Sequence, residues 1–196
     1  MMLVELTSPP VAALPIEAFR AHLRLGSGFS GGDLQDPLLE ACLRAALAAI
    51  EARTGKVLLE REFRWTVTAW RNTARQPLPL APVSAVVSLV RYTGDDAQTP
   101  PQTAYRLEAD MQRPLLVSTG ATLPAVPRGG RIEVVLLAGF GPEWSDLPAD
   151  LAQAVLLLAA HYYEYRVETE GRSLLPPSVA ALIERYRTVR LFMGGK

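Results

Sequence analysis

Cysteine and histidine are scarce: the chain has one cysteine, Cys42, and two histidines, His22 and His161. A lone cysteine excludes an intrachain disulfide and any metal site built from several thiolates. Cys42 lies in an apolar helical pattern, where a small buried side chain is its simplest role. The histidines fall on different predicted helices and in no HExxH or comparable ligand spacing, so no metal site is expected. An excess of either charge is also lacking, since 20 basic residues face 20 acidic ones. A chain that grips nucleic acid electrostatically carries a positive surplus, so any contact with DNA is expected to be passive.

Long apolar runs are missing as well. The longest near-uninterrupted one, Ala154 to Ala160 within LAQAVLLLAAHYY, is far short of the roughly 20 residues that a membrane span needs. The start, MMLVELTSPP, has neither the basic first region nor the apolar core of a signal peptide. A soluble chain, intracellular when made, is the expectation.

The motifs of common chemistries are absent or misplaced. Gly26, Gly28 and Gly31 in GSGFSG satisfy GxGxxG in form. A dinucleotide fingerprint must follow a strand and open a helix in a βαβ unit, and this one follows a helix, so a loop is the better reading. There is no P-loop lysine motif and no GxSxG elbow to set a serine beside His161. Glu164 and Glu168 stand one turn apart on a helix, with Glu170 close by, but acid/base work needs such carboxylates in a cleft. With Arg166 and Arg172 beside them, a solvated or inter-subunit charged face is the plainer reading. The tyrosines of HYYEYR, at helical spacing, are core or interface anchors on the same reasoning. Neither a catalytic residue nor a cofactor is expected.

What remains is an ample core, 49% hydrophobic, distributed as helices, then strands, then helices. Leu14 to Leu25 carries Ile16, Phe19 and Leu23 at helical spacing. After the glycine loop, Asp36 and Pro37 are expected to cap and open a long helix that ends near Thr54 and Gly55, with Leu39, Leu43, Ala46 and Ile50 buried. Arg61 to Arg71 alternates, with Phe63, Trp65, Val67 and Ala69 on one side and Arg64, Thr66, Thr68 and Trp70 on the other. Further strands are expected at Val83 to Tyr92, Ala104 to Leu107, Leu115 to Val117 and Arg131 to Ala138. Asp146 as cap and Pro148 in the first turn introduce a helix with Leu151, Val155, Leu158, Tyr162 and Tyr165 on one face, running to about Glu168. Pro176 and Pro177 open a last helix through Val179, Leu182, Ile183 and Tyr186. The tail TVRLFMGGK has no acidic residue.

The predicted fold class is therefore α+β: a mainly helical chain, with about four helices and an inserted small, mostly antiparallel sheet of about five strands. Residues 1–60 form an N-terminal helical part, 61–141 a β-rich insertion, 142–187 a C-terminal helical part and 188–196 a flexible docking tail, one compact domain overall.

In this order the segments resemble the head-tail connector (adaptor) proteins of long-tailed phages and gene transfer agents, over nearly the whole chain. The similar phrases are the leucine-rich helix Ile16 to Leu25, IEARTGKVLL at Ile50 to Leu59, the proline-flanked turn and strand from Gln76 to Tyr92, RIEVVLLAGFG at Arg131 to Gly141, DLPADLAQAVLLLAAHYYEYR at Asp146 to Arg166, and RYRTVRL at Arg185 to Leu191. No one phrase is specific; their order and spacing together are.

The resemblance implies a structural virion protein without catalysis or cofactor. It would form a ring, commonly of twelve subunits, docked under the portal and enclosing the DNA channel. Its partners would be the portal protein, a stopper or other neck or tail protein, and further copies of itself, with double-stranded DNA passing through and no membrane involved. Its place would be the particle neck, and the bacterial cytoplasm during assembly. Arg187, Arg190, Leu191, Phe192 and Met193 are the expected portal contacts, and Tyr163, Glu164, Arg166 and Glu168 the candidate inter-subunit contacts. A stopper, a tail terminator, or an enzyme with its site hidden in the sheet are the competing readings.

Overall fold

A nearly continuous apolar run, RIEVVLLA, makes the central strand. In the computed structural model, which describes residues 2–25, 32–165 and 175–187, β8 (Arg131–Ala138) buries Ile132, Val134, Leu136 and Ala138 on one face, as a period of two requires. The other described strands are β1 (Met2–Glu5), β2 (Arg61–Val67), β3 (Arg75–Pro77), β4 (Val83–Thr93), β5 (Asp96–Gln98), β6 (Tyr105–Glu108) and β7 (Leu115–Ser118). The helices are α1 (Ile16–His22), α2 (Gly32–Thr54), α3 (Ala149–Glu164) and α4 (Pro177–Ile183).

The chain divides into two compact units, one of Met1–Pro10 with Val57–Asp146 and one of Val11–Lys56 with Leu147–Lys196. In the first, β8 lies between β2 and β4 in a five-stranded sheet of order β1-β2-β8-β4-β5, while β3-β7-β6 form a second sheet. Every strand pair is antiparallel. Phe63, Trp65 and Val67 of β2, Leu89 of β4 and the inward residues of β8 share one core with Tyr105 and Leu116 of the second sheet. That core closes both sheets on their apolar faces.

The α+β class holds, with a correction. Two antiparallel sheets with eight strands stand where one small sheet was expected, and at about 37% helix against 29% strand a mainly helical chain is not confirmed. The strand from Arg61 also stops at Val67, so Ala69 is exposed. Trp70, expected on the side opposite Trp65, turns toward it beyond the strand end: its ring lies 6.1 Å from that of Trp65 and its indole N–H donates to the Pro124 carbonyl at 2.8 Å.

The second unit is helical. α2 buries Leu39, Leu43, Ala46 and Ile50 as the spacing predicts, and Cys42 lies among them. It ends with Thr54, whose hydroxyl donates to the Ile50 carbonyl at 2.8 Å. Gly55 at φ 68° then takes the left-handed position that stops a helix. The expected start is displaced: α2 begins at Gly32, so Pro37 lies inside the helix, where it lacks the N–H that would reach back one turn. Asp36 pairs with Arg20 of α1. At α3 the residue flanking the helix start is Pro148, and no side chain caps it. Asp146 belongs instead to a 3-10 turn, where its carboxylate accepts the Glu143 N–H at 2.9 Å. Leu151, Val155 and Leu158 are fully buried as predicted, but Tyr165 lies past the helix end and is exposed.

Candidate partner-docking surface

Among the described residues no three His, Cys, Asp or Glu side chains gather as metal ligands. His22 is exposed on α1. His161 on α3 stacks obliquely on Tyr165, ring centres 4.8 Å apart. Displaced proton affinities belong to Tyr105, Tyr162 and Tyr186, all raised first by burial, with the Arg53 charge opposing the shift at Tyr162, and to Arg185, raised first by its hydrogen bond with Tyr186. These are effects of packing and pairing, and among the described residues they mark no cleft of converging acids and bases. Gly26, Gly28 and Gly31 lie outside the described residues.

The surface that gathers charged and apolar groups is built at the end of the described chain. Pro177 opens α4, and Val179 and Ile183 are buried on its inner face. The helix tightens into a 3-10 turn, Glu184–Tyr186, and Tyr186 inserts its ring. Its hydroxyl donates to Asp150 Oδ1 at 2.8 Å, and Arg185 Nε stands 2.9 Å from Asp150 Oδ2. The Arg185 guanidinium also lies over the Tyr186 ring, 4.6 Å from its centre. Arg187 follows, its backbone N–H bonded to the Glu184 carbonyl and its guanidinium 2.9 Å from the Glu184 carboxylate.

Beside this turn is a cleft of about 240 Å³ lined by Arg53, Leu175, Ala180, Ile183, Glu184 and Arg187. Arg53 comes from the last turn of α2. Two arginines and a glutamate thus share its lining with three apolar residues. The cleft is smaller than the roughly 300–1,000 Å³ typical of ligand pockets. It suits a side chain or two of a protein partner, with orientation set by charge-assisted hydrogen bonds.

Of the residues singled out in the sequence, Arg187 lines this cleft. Tyr163, half-buried, and Glu164, exposed, occupy the last turn of α3 and line no part of it. Arg166, Glu168, Arg190, Leu191, Phe192 and Met193 lie outside the described residues. Sequence reasoning missed Arg53, Leu175, Ala180, Ile183 and Glu184 as cleft residues. The three-residue spacing of Glu184 and Arg187 is a sequence signal that could have found Glu184; the approach of α2 to α4 is tertiary.

No protein-family model and no curated protein matches the sequence. Solved structures do. A chain from the neck of an empty gene transfer agent particle, computed with C6 symmetry, is 50% identical with a TM-score of 0.91, and the match covers 99% of each chain. The chain belongs to the family of gene transfer agent neck proteins. A second match comes from the virion of a native gene transfer agent particle, 50% identical with a TM-score of 0.88. A third comes from the neck of a native particle computed with C12 symmetry, 47% identical with a TM-score of 0.83. Each covers 99% of both chains. The homologues of this chain are thus components of the particle neck, and no described helix is long and apolar enough to cross a membrane.

Proposed function

We propose that this neck-family chain is the adaptor: a non-enzymatic ring subunit that docks on the portal, links the DNA-filled head to the tail and forms part of the DNA channel. The observation that carries the reading is the 50% identity over 99% of both chains to a gene transfer agent neck component. A ring of twelve satisfies both the sixfold and the twelvefold symmetry in which the similar necks were computed, whereas a ring of six satisfies only the first. Twelve copies are therefore the better supported number, in keeping with the adaptor reading.

Arg187, at the cleft, with Arg190, Leu191, Phe192 and Met193 beyond it, supplies the portal contact. Basic groups give orientation and apolar groups give buried area. Tyr163, Glu164, Arg166 and Glu168 contribute to contacts between subunits. The balance of 20 basic and 20 acidic residues suits a wall past which DNA must slide without being held. No cofactor is required.

Native mass spectrometry of the purified chain mixed with portal tests the assignment. A complex with twelve copies on a portal ring is expected. Assembly with tail components alone, and none with portal, would place the chain elsewhere in the neck.

A further inference from the structure

Four strands form the outer edges of the two sheets, and three of them are guarded. β5 has three residues and runs into Pro100 and Pro101; β3 has three and includes Pro77; β6 carries Arg106 and Glu108, which pair with each other. Short length, proline and charge are the usual means by which a sheet edge avoids adding another strand.

β1, four residues long, carries neither proline nor charge over its first three residues. Met2, Leu3 and Val4 are exposed by 59%, 38% and 40%, and Leu6 just beyond by 37%. The register fixes which backbone groups are turned outward. The Leu6 N–H bonds the Glu62 carbonyl at 2.8 Å, and the pairing continues as Val4 with Arg64 and Met2 with Thr66. In an antiparallel ladder the bonded positions alternate, so the N–H and C=O of Leu3 and Glu5 point away from β2 to the open edge. The Glu5 carboxylate is held on the sheet by Arg61, 3.0 Å away.

We propose that a neighbouring copy of this chain adds an extended segment to the outer edge of β1, so that main-chain hydrogen bonds to Leu3 and Glu5 join subunits around the ring. The inference rests on the ring reading above. The similar necks have C6 and C12 symmetry, and in a cyclic ring every copy meets two neighbours through two different surfaces. A neighbouring copy is present at every β1 in equal number, so all the open edges are covered at once. Two β1 edges pairing with each other would instead make a closed twofold dimer, so the segment received must be some other part of the neighbour.

The test uses assembled particles carrying a photo-crosslinking amino acid in place of Val4. Irradiation is expected to give a ladder of covalent multimers of this chain, with peptide mapping joining residues 2–7 to a segment other than β1. Crosslinks only to a different neck protein, only within one chain, or from β1 to β1 would overturn the proposal while leaving the neck assignment intact. Failure of the unaltered chain to enter a neck ring would remove the ring reading itself. Leu3→Pro gives an independent measure, because it deletes an N–H that faces outward and none of the β1–β2 bonds. It should reduce ring-bearing particles at least tenfold, because a hydrogen bond is lost at every interface of the ring, with the melting temperature of the isolated chain nearly unchanged. Normal ring yield from Leu3→Pro would also overturn the proposal.

Discussion

Tyr186 donates its hydroxyl hydrogen to Asp150 at 2.8 Å, fastening the last 3-10 turn of the described chain to the first turn of α3. The same carboxylate meets Arg185 at 2.9 Å and stands near the N-terminus of α3, where negative charge is favoured. Tyr186→Phe keeps the ring and removes the bond, so it should cost about 1 kcal/mol. Asp150→Ala also leaves the tyrosine hydroxyl and Arg185 without their acceptor, and should cost about 2 kcal/mol. Thermal melts of the two variants check the order, the first falling by roughly 2–4 °C.

Tyr105, Tyr162 and Tyr186 all have pKa values raised above the ordinary 10.0, chiefly by burial. A raised folded value means that the unfolded chain ionises first. The stabilisation is therefore complete below the ordinary tyrosine pKa, and is lost as pH rises through that value and the higher folded ones. Melting temperature should be insensitive to these groups up to about pH 9 and fall above about pH 10. In Tyr105→Phe that alkaline fall should be shallower, which a melting series from neutral to alkaline pH measures.

Much of this architecture was legible because it obeys one period at a time. The bounds of β8 match the sequence expectation residue for residue, since a valine- and leucine-rich run there is bounded by glycines, Gly130 before it and Gly139 after it. The buried stripe of α2 follows from Leu39, Leu43, Ala46 and Ile50 alone. The strands that were missed carry no such signal. β1 is exposed on both faces, β3 holds a proline, and β5 exists because the turn at Gly94 brings Asp96–Gln98 against β4. Pairing made these strands, with distant partners for β1 and β3 and across a tight turn for β5. The helix starts went astray where proline and aspartate admit two readings: Pro37 is as compatible with an interior kink as with a first turn, and Asp146 can close a 3-10 turn as well as cap a helix. At the candidate site Arg187 was visible in the basic C-terminal pattern. Arg53, more than a hundred residues earlier in the chain, was not.

Gly139 and Gly94 both have positive φ, 142° and 59°, and they should respond differently to a methyl group. A Cβ on Gly139 would lie 2.3 Å from the Glu60 Cα and 2.4 Å from its N, whereas one on Gly94 meets nothing within 4 Å. Gly94→Ala carries only the conformational cost, about 1 kcal/mol. Gly139→Ala must also push apart the end of β8 and the backbone entering β2, and should cost about 3 kcal/mol. Urea titrations of both variants, compared at constant slope, give the difference.

The proposed portal contact can be separated from a purely internal role by removing residues 188–196. Leu191, Phe192 and Met193 are apolar, and after Glu184 the sequence has no acidic residue. Arg187, the last residue before this segment, lies on the cleft with Arg53 and Glu184. If the segment serves the portal, the truncated chain should melt within a degree or two of the full chain and fail to join portal-bearing heads. If its apolar residues pack on their own helical unit, stability should fall by several kcal/mol, as for other lost buried side chains, with assembly retained. Arg187→Glu refines the comparison. Breaking its exposed pair with Glu184 should cost less than about 1 kcal/mol of stability, whereas a charge reversed at a portal interface should weaken docking tenfold or more. A binding titration with portal rings, run beside the melts, reads both quantities on the same preparation, and loss of affinity at unchanged melting temperature is the outcome that the docking assignment requires.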